Sequence, residues 1–322
     1  MAADSKTLHI LAYVKEPERS GMNFARLARD FDNLEVTEAS SFAEAEPCLD
    51  KAEVLITIGN HIGEDANRIY RQASQLKWAQ SFGTGVDNIK DHPALNQDAI
   101  VTNVHGIHGP QLSEAAFAAM LSFARQLPKT INNQAQSRWE KFSADLLFGR
   151  RIGILGLGAI ACELAPRCKA FGMQVIGISG SKREIADFDE VYSTEEITQA
   201  VADLDYLVVL TPLSERTKGI INAEVFNALP ARAVLVNLAR GGVVNENDLL
   251  NALQAGGIKG AAMDVFEQEP LPADSPFWTQ PNVLITPHSA GFHSGYGEQA
   301  YQAIANNIQQ YIEGGAAALN KV

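Results

Sequence analysis

Short apolar runs rich in β-branched residues alternate with longer stretches of helical periodicity along almost the whole chain. In the first third, Leu8 to Val14, Val54 to Ile58 and Ala99 to Val104 read as strands, with a helical pattern through Phe24, Leu27, Ala28 and Phe31. Farther on, Arg151 to Leu155, Gln174 to Ile178, Tyr206 to Leu210, Ala233 to Asn237, Gly260 to Asp264 and Val283 to Thr286 have the same character. Apolar runs bounded by Gly, Pro or Asn are what a parallel sheet covered on both faces requires. Regular alternation of strand and helix predicts an α/β protein, built as two doubly wound domains of Rossmann/flavodoxin-like type.

The same pattern places the joints. A loop from His105 to Pro110 follows the third strand, and Ser113 with Glu114 reads as the cap of a helix running to about Gln126. A second helix is expected over about Ile131 to Phe142. Gly291 to Gly297 breaks the pattern, and Glu298 to Ile312 reads as one amphipathic helix, expected to pack back on the first domain. One domain is thus expected over residues 1–104, completed by a C-terminal helix within 290–322, and the other over 105–289. Two domains joined twice are expected to enclose a cleft, where ligands of open α/β sheets bind.

One strand end carries a glycine turn, Gly156-Leu157-Gly158-Ala159-Ile160-Ala161, between the strand from Arg151 and a helix toward Phe171. That context suits a dinucleotide pyrophosphate: Gly156 permits the tight turn and Gly158 lets the backbone approach the phosphates at the positive helix end. Ala161 is a small third residue for helix–strand packing, and Pro166 inside the helix predicts a kink. The next strand ends without the acid that would grip the ribose of NAD; Ser179-Gly180-Ser181-Lys182-Arg183 stands there instead. Hydroxyls and cations bind a 2′-phosphate, so NADP(H) is the expected cofactor, with NAD(H) binding beside a solvated basic turn as the alternative. Asp187 and Asp189 come too late in the chain to replace the missing acid.

Arg240, Glu269 and His288 follow in the order and spacing of a site that reduces a keto group. His288 comes just after an expected strand, where a side chain can meet a cofactor's reactive ring. A carboxylate at Glu269 would orient the imidazole and favour its protonated form, ready to protonate the substrate oxygen as hydride arrives. Arg240 offers a planar fork for a carboxylate beside the keto group. Of the other histidines, His105 and His108 are expected to be solvated loop residues, His293 has no obvious partner, and His9, His61 and His92 have no evident role. None has metal-ligand spacing.

Composition narrows the field further. At 322 residues there is room for about two domains. The net charge of −12 and a pI near 5.1 argue against a nucleic-acid partner. No apolar run reaches the length of a membrane span, and the start Met1-Ala2-Ala3-Asp4-Ser5-Lys6 lacks signal-peptide character, so the cytoplasm is expected. Cys48, Cys162 and Cys168 have no metal or redox spacing, and the last two point to different faces of one helix.

With these motifs in view, the chain resembles the D-2-hydroxyacid dehydrogenase family, and its NADP-preferring glyoxylate/hydroxypyruvate reductase branch. The resemblance rests on Gly156-x-Gly158-x-x-Ala161, Ala170-Phe171-Gly172-Met173, Asn237-Leu238-Ala239-Arg240-Gly241-Gly242, Asp264-Val265-Phe266-Glu267-Gln268-Glu269-Pro270 and Thr286-Pro287-His288. It implies a homodimer, with the cofactor domain inserted between two parts of a substrate domain. It implies Arg240 as carboxylate binder, Glu269 as partner of His288, and His288 as acid/base. Asp264 matches the acid that holds the nicotinamide amide, and Thr211, Pro212 and Ala239 match cofactor-lining positions. Ser81-Phe82-Gly83-Thr84-Gly85-Val86-Asp87 resembles the substrate loop, with the amides of Thr84 and Gly85 on the substrate carboxylate. Read alone, that segment is a turn after a strand. Trp139 matches a position where a partner subunit's aromatic closes the pocket, with core or dimer packing as the other reading. The Lys15-to-Gly21 loop, Phe82 and the residues around His105 are candidates for contact with the substrate side chain. Two rivals remain: a formate- or phosphite-type dehydrogenase, against which Glu269 speaks, and a non-catalytic dinucleotide-sensing protein.

Overall fold

A computed structural model describes residues 7–15, 21–90 and 92–322, apart from the side chain of Asn60. It divides into two compact units, one of the chain up to Ile107 together with His293–Val322, the other His108–Phe292. Residues 16–20 of the Lys15-to-Gly21 loop lie outside the described residues.

The first unit holds a five-stranded parallel sheet of β1 (Leu8–Tyr13), β2 (Leu34–Ala39), β3 (Val54–Thr57), β4 (Trp78–Ser81) and β5 (Ile100–Thr102), in the order β2-β1-β3-β4-β5. Alternate residues go to opposite cores: Ile10 and Ala12 pack on one face with Ile304 and Ile308 of the helix Tyr296–Gly314, Leu11 and Tyr13 on the other with Ile69. β2 and β4 escape the hydrophobic pattern. β2 is an edge strand with exposed Glu35 and Glu38. β4 carries a buried Gln80, whose amide oxygen accepts from Thr102 Oγ1 at 2.7 Å and Asn307 Nδ2 at 2.8 Å. Burial of a polar amide is tolerated because its bonds are made.

The second unit holds β6 (Arg151–Leu155), β7 (Gln174–Ser179), β8 (Glu190–Ser193), β9 (Tyr206–Val209), β10 (Val234–Asn237), β11 (Gly260–Met263) and β12 (Val283–Ile285). All pair parallel, in the order β12-β11-β10-β9-β6-β7-β8. Both faces are covered: Val208, Val234 and Val236 belong to one core, Leu207, Val209 and Leu235 to the other.

Several local expectations are corrected. The helix expected from Ser113 begins earlier, as Gly109–Ala124, and Ser113 lies buried inside it, donating to Gly109 O at 2.7 Å. His108 is the N-cap of that helix and is buried, not solvated. The following helix is Leu127–Ala135 and ends well before Phe142, which leaves Trp139 93% exposed in an irregular segment. Pro166 lies inside the helix Ala159–Ala170, where the sequence placed it. His293 does find partners: Gly295 N donates to its Nδ1 at 3.1 Å, and Gln299 Oε1 lies 3.1 Å from Nε2.

Candidate active site

The strand order of the second unit reverses between β6 and β9, and such a switch point opens a crevice at the carboxyl ends of the strands. Gly156 leaves β6 there with φ of 97°, and a Cβ on it would fall 2.6 Å from the backbone nitrogen of Thr211, just beyond β9. Only glycine satisfies both the left-handed backbone and the neighbour. Leu157 is buried, while Gly158 is the N-cap of the helix Ala159–Ala170 and opens on empty space, with nothing within 4 Å of a Cβ position. Ala159 and Ile160 begin that helix, whose free first-turn amides fit a pyrophosphate. Ala161 is fully buried beneath the turn.

The residues past β7 form a turn that carries hydroxyls and cations. Arg183 Nη2 donates to Leu157 O at 3.1 Å, which brings its guanidinium to the glycine turn. Ser179 Oγ donates to Ser181 O at 2.6 Å, closing a tight turn, and Lys182 stands 63% exposed with its Nζ 3.6 Å from Glu196 Oε1. Asp189 is engaged at the other end of β7, where its Oδ2 accepts the Val175 amide at 2.7 Å. Thr211 is buried, and Pro212 O accepts from Thr217 Oγ1 at 2.6 Å.

Arg240, Glu269 and His288 follow β10, β11 and β12, three neighbouring strands of the same sheet. His288 Nδ1 lies 2.6 Å from Glu269 Oε2, and Glu269 Oε1 accepts the Phe266 amide at 3.0 Å. Burial pushes the Glu269 carboxyl up, but the bonds from His288 and the Phe266 amide, with the charges of His288 and Arg240, hold it below the usual range. An ionised carboxylate only accepts hydrogen bonds. The hydrogen between the pair therefore resides on Nδ1, and Nε2 is left for a ligand. His288 adopts φ of 51°, and its amide donates to Asp264 O at 2.7 Å.

Several further residues shape this framework. The buried Asp264 carboxylate ties down the turn bearing His288: Thr286 Oγ1 donates to it, as do the amides of Ser289 at 3.0 Å and Ala290 at 3.1 Å. Asn237, fully buried, accepts from Ala239 N at 3.1 Å and donates to Arg240 O at 3.1 Å, shaping the approach to Arg240. Arg240 Nη1 also donates to Ala239 O at 2.7 Å. Gly241 faces the segment leading to Glu269 so closely that a Cβ would fall 1.9 Å from the Phe266 carbonyl carbon. Glu246, at the start of the helix Glu246–Gln254, accepts the Glu267 amide at 2.6 Å. The Asn237-to-Gly242 motif is the available hint for Asn237 and Gly241, and Asp264 opens a motif of its own; the role of Glu246 depends on a contact far apart in sequence.

In the first unit, Gly83, Thr84 and Gly85 follow β4, and the amides of Thr84 and Gly85 donate to no other described residue. No group of side chains among the described residues has the makings of a metal site. No helix among them is long and apolar enough to cross a membrane.

Comparison with known proteins gives this geometry a context. A family model described as D-isomer specific 2-hydroxyacid dehydrogenase, NAD binding domain, matches residues 117–290. The chain is 30% identical over 293 residues to the D-3-phosphoglycerate dehydrogenase of Methanocaldococcus jannaschii, covering 90% of this chain and 55% of that protein. It thus spans about half the length of that curated relative. Among solved structures, a D-isomer specific 2-hydroxyacid dehydrogenase family protein from Aeromonas salmonicida is 35% identical, with a TM-score of 0.86 over 96% of this chain and 97% of that one. The NADPH-dependent glyoxylate/hydroxypyruvate reductase of Sinorhizobium meliloti, in complex with NADP and sulfate, is 29% identical, with a TM-score of 0.82 over 98% and 97%.

Proposed function

We propose, since this chain belongs to the D-isomer specific 2-hydroxyacid dehydrogenase family, that it reduces a small 2-keto acid of the glyoxylate or hydroxypyruvate kind to the D-2-hydroxy acid, with NADPH as the preferred reductant. The observation that carries the reading is the hydrogen bond of 2.6 Å between His288 Nδ1 and Glu269 Oε2, at the carboxyl ends of strands whose switch point holds a dinucleotide turn.

When bound, the reduced dinucleotide supplies a hydride to the keto carbon. His288 holds a proton at Nε2 and delivers it to the keto oxygen, while Glu269 fixes the ring through Nδ1. Arg240 in the second unit, by its paired donors, and the amides of Thr84 and Gly85 in the first are each proposed as carboxylate binders. Gly156 to Ile160 receive the pyrophosphate, and Thr211, Pro212, Ala239 and Asp264 line the nicotinamide side. In this reading the second unit is the dinucleotide-binding domain and the first the substrate-binding domain.

The preference for NADPH rests on Ser179, Ser181, Lys182 and Arg183, which place hydroxyls and cations where an NAD enzyme has a carboxylate. The enzyme is further proposed to be a cytoplasmic homodimer. The exposed apolar side chains of Ile131 at 66%, Trp139 at 93% and Phe148 at 74% support a covered surface on the second unit. Light scattering of the purified protein measures that mass directly.

The reading is tested by initial rates of NADPH and NADH oxidation with glyoxylate, hydroxypyruvate, its 3-phosphate, pyruvate and phenylpyruvate. Faster turnover with NADPH and the unphosphorylated small acids is expected. A preference for the phosphorylated acid would instead align the chain with its phosphoglycerate dehydrogenase relative.

A further inference from the structure

Each carbonyl from Phe82 to Gly85 is taken by a donor within the first unit. Tyr296 Oη donates to Phe82 O at 2.9 Å, Val104 N to Gly83 O at 3.1 Å, Asn103 Nδ2 to Thr84 O at 2.7 Å, and Ser81 Oγ to Gly85 O at 2.6 Å. In a trans peptide the carbonyl and the following N–H point in opposite directions. The bonds from Asn103 and Val104 draw two successive carbonyls toward the same stretch of chain, at the end of β5. They thereby turn the N–H groups of Thr84 and Gly85 together to the opposite side, where neither donates to another described residue. Gly83 N–H, by contrast, turns back to Ser81 Oγ at 3.3 Å.

Two successive amides facing one way form a nest for an anion. The Thr84 amide is set by a backbone donor, which no substitution of a side chain removes. The Gly85 amide is set by the Asn103 side chain, and Gly85 has no Cβ to resist rotation of that peptide.

We infer that Asn103 is a positioning residue for substrate binding: its side-chain amide holds the Thr84–Gly85 peptide so that two adjacent N–H groups face a carboxylate, one for each oxygen. The identity of that carboxylate, the acid group of a 2-keto acid, rests on the reductase reading above. Tyr296 serves the same loop from behind. Its ring packs edge-on against Phe82 with centroids 5.4 Å apart, so the C-terminal helix braces the first carbonyl of the set.

The test compares Asn103→Ala and Asn103→Asp with the wild type; Asp keeps the volume but presents no donor. A carboxylate contact made equally in the ground and transition states appears in KM and spares kcat. KM for the keto acid is expected to rise about tenfold or more, as for loss of a hydrogen bond to a charged group, with kcat and the KM for NADPH within about twofold. An unchanged KM for the keto acid in both variants would overturn the role of Asn103 while leaving the reductase reading intact.

A second measurement is independent of turnover. In amide-resolved NMR of the wild type titrated with oxamate, a non-reducible mimic of a 2-keto acid, the Thr84 and Gly85 resonances are expected to shift saturably, and the Gly85 shift to weaken in Asn103→Asp. No response of these amides at saturating oxamate overturns the nest, even should the alanine variant fail to fold. A saturable, Asn103-dependent response in a protein that turns over no keto acid upholds the nest and sinks the reductase reading.

Discussion

Glu269 joins His288 by one carboxylate oxygen, at 2.6 Å from Nδ1, while its other oxygen is fixed by the Phe266 amide at 3.0 Å. The pair is therefore set before any substrate arrives. General acid–base catalysis is worth about 10²- to 10⁴-fold, so His288→Ala is expected to lower kcat by that factor, with NADPH affinity by fluorescence titration largely kept. Glu269→Gln is expected to lower kcat less, because an amide oxygen can still accept from Nδ1 and orient the ring, though without the carboxylate's charge. Equal kcat in His288→Ala and wild type would remove His288 from the mechanism.

Gly241 and Phe266 touch through their backbones. With a Cβ at 1.9 Å from the Phe266 carbonyl carbon, Gly241→Ala must push apart the turn bearing Arg240 and the segment bearing Glu269. Overpacking of this kind costs about 1–3 kcal/mol. Thermal unfolding is expected to shift down by several degrees and kcat to fall alongside it. A variant that unfolds at the wild-type temperature with full activity would show the contact to be slack.

Glu246 and Glu269 respond to pH in opposite directions. Burial pushes the Glu246 carboxyl up, opposed by the Glu267 amide and reinforced by the charges of Glu267 and Glu269. The folded state thus binds that proton more tightly than the unfolded chain does. The stability it lends is present below the ordinary glutamate value of about 4.3 and is lost as pH rises through the raised folded value. Glu269, held below its usual range despite burial, lends stability above the ordinary value and loses it as pH falls through the lowered one. Glu246→Gln keeps an acceptor for the Glu267 amide, so its melting temperature is expected to exceed that of wild type at pH 8, with the gain vanishing near pH 3.5. Parallel melting curves at both pH values check the sign.

Arg183 is bound to the glycine turn through Leu157 O at 3.1 Å, and Ser179 ends β7 with a hydroxyl. A hydrogen bond to a charged group is worth about 1.5–3 kcal/mol, roughly 10- to 100-fold in affinity. Ser179→Asp is expected to raise KM for NADPH by about that factor while sparing or lowering KM for NADH, since a carboxylate repels a 2′-phosphate and grips a ribose hydroxyl. Unchanged NADPH kinetics in Ser179→Asp would place the phosphate elsewhere.

The strands buried on both faces, such as β9 and β10, are legible because the run is short and apolar up to the Asn237 that closes β10. β2 and β8 are not, because edge strands expose polar side chains and lose the pattern; β4 is not, because Gln80 and Ser81 are buried polar residues, and the partners of Gln80 lie elsewhere in the chain. The helix after Ala124 starts at Leu127, earlier than expected: Leu127 and Ile131 are exposed, so no buried apolar face marks its start. His288 and Glu269 could be paired from spacing and residue type. Tyr296 and Phe82, 214 positions apart, could not, since nothing in either neighbourhood announces a bond between them.

The order of strands in the second unit separates two kinds of choice. The turn from Ser179 to Arg183 follows β7, on one side of β6, whereas Arg240, Glu269 and His288 follow β10, β11 and β12 on the other. In the proposed reading, the residues that choose the reductant and those that move the proton therefore stand on opposite sides of one strand, so that a change in the one turn leaves the other set in place.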